Sequence, residues 1–292
     1  MSRQLTERAA VRERDTEPSR HGPLAQLLIA WSPLTVVLLV YGLAQWVTAP
    51  LGTGSGAPTN RIGASLHLRG PAAVDHALFG ANPSAWLQSH LAAGGPHWYD
   101  LAAALVYATH IVSIPALTGL VWFRLRDRFV AWLGAVLTLT VVGVTGYVLY
   151  PAAPPWLAAG RGDVPGVHHV DRLSSRGWDY LHLGPVRALT DLAQGQSNPL
   201  AAMPSLHAGT ALLVTLFLWP VVRRAWRVVL LAYVLAMALT LVYTGEHYVV
   251  DVVAGWATAL VAAGLGRALL RQRWPVLPRP PQSWDAEPVD RP

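Results

Sequence analysis

The chain of 292 residues is 53% hydrophobic and only 13% charged, against roughly 25% charged in a soluble globular domain, which excludes an ordinary water-soluble fold. Its net charge of +6 comes from arginine alone, and the absence of cysteine rules out a disulfide framework or a thiolate metal site. Because the arginines border apolar runs, the basic balance fits a membrane-topology signal and not nucleic-acid binding.

A helix needs about 20 apolar residues to cross the hydrocarbon core. In chain order, a charged tail over 1–22 comes first and predicts disorder. Apolar stretches at 24–47, 99–123, 129–150, 205–222, 228–244 and 248–270 then predict six transmembrane helices. Between the first two, Val74, Leu78, Phe79, Trp86, Leu87 and Leu91 recur at helical spacing within 72–93. That pattern predicts an amphipathic helix lying on the membrane at the outer face, or a lid packed over the bundle. A Pro-rich tail over 274–292 closes the chain, leaving 23–273 as one all-α, polytopic membrane domain built as a six-helix bundle.

Loop charge predicts the orientation. Arg3, Arg8, Arg12, Arg14 and Arg20 precede the first span, and Arg124, Arg126 and Arg128 follow the second. Arg223, Arg224 and Arg227 follow the fourth, and Arg271, Arg273, Arg279 and Arg291 follow the sixth. The intervening segments 48–98 and 151–204 hold six arginines over a far greater length. The positive-inside rule then puts both termini in the cytoplasm of a multi-pass plasma-membrane protein.

Two motifs stand where outer loops enter helices. The first is Met203-Pro204-Ser205-Leu206-His207-Ala208-Gly209, and the second runs from Tyr243 through Gly245, Glu246, His247 and Tyr248 to Asp251. Ionisable residues at membrane depth are costly, so they carry a functional expectation by default. His247 and Asp251 are spaced i, i+4 on one helical face, where a carboxylate can set the imidazole tautomer and leave the other nitrogen as a nucleophile. Both motifs fall at helix N-termini, whose N–H groups and dipole favour an anion such as phosphate.

Each residue has a plainer explanation on its own. Ser205 is a good N-cap, His207 a common structural hydrogen-bonder, and His247 with Asp251 a helix-stabilising pair. Tyr150, Trp156, Tyr243 and Tyr248 suit an aromatic belt. The cluster argues against all of these at once, because the opposite face carries only Arg-rich turns.

Pro-Ser-x-His-x-Gly, followed about forty residues later by Gly-x-His-x-x-x-Asp, resembles the type 2 phosphatidic acid phosphatase superfamily over roughly 99–270. The resemblance implies His247 as nucleophile through a phosphohistidine, Asp251 as its orienter, His207 as general acid and then base, and Ser205 as a phosphate ligand, with no cofactor and no metal. It also departs from the family. The first motif's Lys and Arg are missing, and Thr240-Leu241 stands where the third motif usually begins Ser-Arg. In place of the first motif stands Tyr150-Pro151-Ala152-Ala153-Pro154-Pro155-Trp156. That element, with the stretch from Asp75 to Gly80 and Trp86-Leu87-Gln88, is similar to the branch containing inositol phosphorylceramide synthase. Charge neutralisation at phosphorus must then come from the outer loop, where Arg161, Arg172, Arg176 and Arg187 are available, Arg172 and Arg176 foremost.

The expected activity is lipid phosphotransfer or hydrolysis at the outer face, on membrane lipid substrates and with no nucleic-acid partner, for instance transfer of a phosphoinositol group. Plain hydrolysis of a lipid phosphate monoester is the alternative. A non-enzymatic lipid transporter fits less well, because apart from His110, Thr140 and Thr145 the spans lack a polar path. Nothing in the sequence sets the oligomeric state.

Overall fold

The computed structural model describes residues 22–52, 57–161, 164, 167 and 169–271, so the expected tails lie outside the described residues except for Gly22. Within the described residues the regular structure is helical, joined by loops and three isolated backbone bridges.

Helices α1 (Pro23–Trp31) and α2 (Leu34–Gly52) form a bent apolar rod, broken where Pro33 supplies no N–H. The bend is pinned to the next span by the Trp31 indole, which donates to the Pro115 carbonyl at 3.0 Å. Two short helices follow, α3 (Gly70–Phe79) and α4 (Pro83–Leu91), then α5 (Trp98–Arg124), a 3-10 turn and α6 (Phe129–Leu149). Three small helices, α7 (Pro155–Gly160), α8 (Gly177–Tyr180) and α9 (Gly184–Gly195), lie within one long connection. The chain ends in α10 (Leu206–Leu218), α11 (Arg224–Tyr243) and α12 (Val249–Arg271).

Among the described residues five helices are long and apolar enough to cross a membrane, taking α1 and α2 as one. The stretch expected to span at 205–222 is not among them. Its helix, α10, has 13 residues, about 20 Å at 1.5 Å per residue, short of the roughly 30 Å hydrocarbon core. Pro204 and the Ser205 cap delimit its start, and the chain turns at Trp219–Pro220, where proline cannot continue the helical ladder.

Despite its length α10 is the centre of the bundle, packed against α5, α6, α11 and α12. Glycine makes this possible. A Cβ on Gly255 of α12 would collide with the Ser205 carbonyl, and one on Gly209 would lie 3.0 Å from the Gly255 carbonyl. Small residues thus let the two helices that carry the motifs touch backbone to backbone.

The segment expected as a single in-plane helix over 72–93 is two helices. Gly80 breaks it with φ 73°, and Asn82 restarts it by accepting the Ala85 N–H at 3.1 Å. Val74, Leu78, Phe79, Trp86 and Leu91 face outward, while Asp75, Ser84 and Gln88 are buried. The polar side therefore faces the protein, where it holds the loops described next.

Candidate active site

The two motifs converge where α10 and α12 begin, beside the end of α6. The Ser205 N–H donates to the Asp251 carbonyl at 2.9 Å, and its hydroxyl oxygen accepts the Ala208 N–H at 3.3 Å as the α10 cap. This is the plainer role of Ser205, and the cap leaves its O–H proton available to another acceptor.

His247 is 4% exposed. Its Nδ1 lies 2.9 Å from the Ala202 carbonyl oxygen and its Nε2 lies 3.4 Å from His207 Nδ1. A carbonyl only accepts, so Nδ1 carries the proton and Nε2 presents a lone pair toward His207. The Asp251 carboxylate is 3.7 Å from His247 Nδ1, beyond hydrogen-bond length, and accepts the Tyr248 N–H at 2.9 Å. The imidazole is therefore oriented by a backbone carbonyl, with Asp251 contributing its charge from one step further.

That carbonyl is held by an extended layer which the sequence did not announce. Ala152 bridges in parallel to His67 on one side and to Ala201 on the other. The Ala152 N–H donates to the Leu200 carbonyl at 3.2 Å, and the Ala202 N–H returns to the Ala152 carbonyl at 3.4 Å. The Tyr150–Trp156 element thus works as a plank that fixes Ala202, and through it His247.

The expectation of an open anion site at the start of α12 is corrected. Asp75, fully buried on α3, accepts the Val249 N–H at 2.8 Å and the Val250 N–H at 3.0 Å. With Asp251 on the Tyr248 amide, two carboxylates occupy three consecutive N–H groups of this helix start. Burial pushes the Asp75 carboxyl above its ordinary range, against the downward pull of the two amide bonds. Gln88 secures the same region from α4, donating to the Asp171 and Tyr243 carbonyls at 2.9 Å each.

Arg172 and Arg176 have different fates. Arg172 is held bidentately by Glu246, with Nε to Oε1 at 2.8 Å and Nη2 to Oε2 at 3.1 Å, and lies over the Trp156 ring at 4.8 Å. Burial alone would lower its pKa, but the Glu246 charge and hydrogen bonds outweigh this and hold it above the ordinary value. Glu246, 6% exposed, also accepts the Ser174 hydroxyl at 2.5 Å, and Ser174 accepts from Gln194 at 2.8 Å. Arg176 instead donates to the Ala92, Gly94 and Gly95 carbonyls and pairs with Asp100 at 3.6 Å, which ties the α4–α5 loop to α8.

Trp156 anchors its loop through its own N–H, 3.2 Å from the Gly245 carbonyl, and its indole N–H is buried without a partner among the described residues. Tyr150 packs edge-on against His67, with ring centres 3.7 Å apart. Burial first, and then the Asp251 charge, push the Tyr150 hydroxyl above its ordinary range.

Two α5 residues that were absent from the expected site flank His207. Tyr107 stacks on it at 4.9 Å and His110 lies at 3.9 Å, three positions apart on one face of the helix. His110 Nδ1 is buried without a partner among the described residues. The available signal was His110 itself, an ionisable residue within an apolar span. Nε2 of His247, Nδ1 of His207 and the Arg172 guanidinium thus gather in one enclosure beside Tyr107.

Comparison with known proteins relates the chain to two lipid-modifying enzymes and to one family. The chain is 28% identical over 172 residues to phosphoinositol dihydroceramide synthase of Bacteroides thetaiotaomicron, covering 56% of this chain and 55% of that protein. It is 28% identical over 200 residues to the catalytic subunit of inositol phosphorylceramide synthase of Schizosaccharomyces pombe, covering 64% and 44% respectively. The chain thus spans about half the length of the curated relatives it matches. No solved structure matches it significantly. A family model matches residues 72–265, which include most of α3, both motifs and every residue of the enclosure. The chain is a multi-pass membrane protein that belongs to the PAP2 superfamily.

Proposed function

We propose that the chain is a membrane lipid phosphotransferase that moves a phospho-head group such as phosphoinositol from a donor lipid to a hydroxylated lipid, by way of a phosphohistidine on His247. The observation that carries this reading is the 3.4 Å approach of His247 Nε2 to His207 Nδ1, with the far nitrogen of His247 tied to the Ala202 carbonyl. In the first half-reaction the Nε2 lone pair attacks phosphorus and the bond to the donor oxygen breaks. His207, protonated, gives its proton to that leaving oxygen. In the second half, the acceptor hydroxyl gives its proton to His207, its oxygen attacks phosphorus, and the phosphorus–nitrogen bond breaks. Protons balance across the cycle.

Transfer between lipids, and a diester donor, are supported by the charge around Arg172. Its counter-ion Glu246 already neutralises it, so a doubly charged monoester gains little there, while a singly charged diester needs less. The Trp156 indole N–H, buried and unpartnered, is a donor suited to a phosphate or polyol oxygen. Names of the relatives point to the same chemistry, a phosphoinositol group and a ceramide. We place the site at the outer face of the plasma membrane with both termini inside, on the arginine distribution.

The test is competition in reconstituted protein between a long-chain hydroxylated lipid and water for a radiolabelled phosphoinositol group. Label moving into the lipid is the expected result. Only free head group, with every acceptor tried, makes the chain a phosphatase instead.

A further inference from the structure

The opposite end of the bundle holds a feature that phosphotransfer does not use. α6 and α12 have 21 and 23 residues, while α10 between them has 13. The three helices meet at the histidine end, so the whole deficit of α10 falls at the other. There the chain turns away at Trp219–Pro220, and a cleft opens beneath Leu216 and Phe217, walled by Ala135 of α6 and Ala263 of α12. Its cavity volume is about 60 Å³, and with the open mouth the empty space is about 410 Å³.

The lining is apolar except for Arg128 and Arg267. Neighbouring arginines are committed elsewhere: Arg126 stacks on Trp122 at 3.4 Å, and Arg227 donates to the Trp219 carbonyl at 3.2 Å. Among the described residues neither the Arg128 nor the Arg267 guanidinium makes a hydrogen bond or ion pair. Arg128 is also misplaced by helix electrostatics. It is the N-cap residue of α6, at the positive end of the dipole, where a cation is disfavoured and an anion favoured. An apolar cleft with two cations and a helix N-terminus on its wall matches an amphiphile with an anionic head.

We propose that this cleft holds an anionic phospholipid, its phosphate between Arg128 and Arg267 and one acyl chain lying along the open mouth with only its first carbons in the cavity. The site is separate from the histidines: from Asp251 to Arg267 along α12 is about 24 Å. It fills a void that a short α10 leaves in the bundle, so the bound lipid adds stability by binding the folded state.

The full-length protein, purified in detergent, is titrated with dioleoylphosphatidylglycerol or with zwitterionic dioleoylphosphatidylcholine, and bound lipid is read by native mass spectrometry. Retention of the glycerol lipid over the choline lipid is expected. Arg128→Gln with Arg267→Gln, both outside the core, is expected to weaken it at least tenfold while the fold is retained. Ala263→Leu, which fills the cleft and keeps both arginines, is expected to weaken it as well, and His247→Ala to leave it unchanged. Equal binding of the two lipids, or undiminished binding in the arginine double variant, overturns the proposal. So does loss of binding in His247→Ala, which would put the lipid in the catalytic enclosure. If removing residues 272–292 raises binding tenfold, that segment is the occupant and the proposal fails.

Discussion

The two ends of this bundle are built from the same helices by opposite rules. At the histidine end, polar side chains point inward and are tied to backbone: Asp75 to Val249 and Val250, Gln88 to Asp171 and Tyr243, His247 to Ala202. At the arginine end, Arg223 and Arg224 are exposed, and Arg126 and Arg227 lie against tryptophan rings. The difference follows from what each end must do. A site that excludes water has to satisfy its polar groups internally, because a buried unpaired group costs about 1–3 kcal/mol. An end that meets lipid head groups can leave its cations to them.

The comparison breaks most sharply at His247. His247→Ala is expected to lower turnover by about 10⁴ or more, since it removes the proposed nucleophile. A measured rate within tenfold of the parent refutes the phosphohistidine.

Asp251→Asn should be milder, because Ala202 and not Asp251 hydrogen-bonds the imidazole. About a hundredfold loss in kcat with KM nearly unchanged is expected, from the missing negative charge beside a cationic transition state. A loss as large as that of His247→Ala would mean that Asp251 sets the tautomer after all.

Asp75→Ala tests whether the α3 carboxylate holds the histidine loop or only the fold. Two amides of α12 lose their acceptor, at a cost of about 1–3 kcal/mol in stability. We expect kcat to fall about tenfold through misplacement of His247, partly restored in Asp75→Asn, whose amide oxygen can still accept one of the two bonds. An unchanged kcat in a protein with a lowered Tm would leave Asp75 a purely structural role.

The smallest expected effect is at Glu246. Replacing it by Gln frees Arg172 from its counter-ion, so a doubly charged monoester competitor should bind about threefold to tenfold more tightly than in the parent. Weaker binding of the monoester would show that Glu246 serves by positioning Arg172. Orientation of the two ends can be read without kinetics. A cysteine at Gly160 should react with an impermeant thiol reagent in intact cells and one at Ala225 should not, and the reverse pattern would invert the topology.

Much of this was legible in local sequence. Helical class, membrane residence and the approximate limits of five long spans follow from runs of apolar residues bounded by arginine, because a helix satisfies its own backbone. The pair His247 and Asp251 was legible as a motif, but not by the expected geometry: α12 starts at Val249, so His247 stands in the loop before the helix and Asp251 in its first turn, 3.7 Å apart. Tertiary structure alone decided the rest. Ala202 faces His247 across 45 positions and Arg172 meets Glu246 across 74, while Asp75 caps α12 across 174. Such contacts join segments with no shared periodicity, and a backbone carbonyl has no residue type by which to recognise it. Neither did composition predict how short α10 is. Residues 205–222 are apolar enough to span, but Ser205 and Pro220 limit the helix, and only packing against α6 and α12 turns that shortness into a cleft.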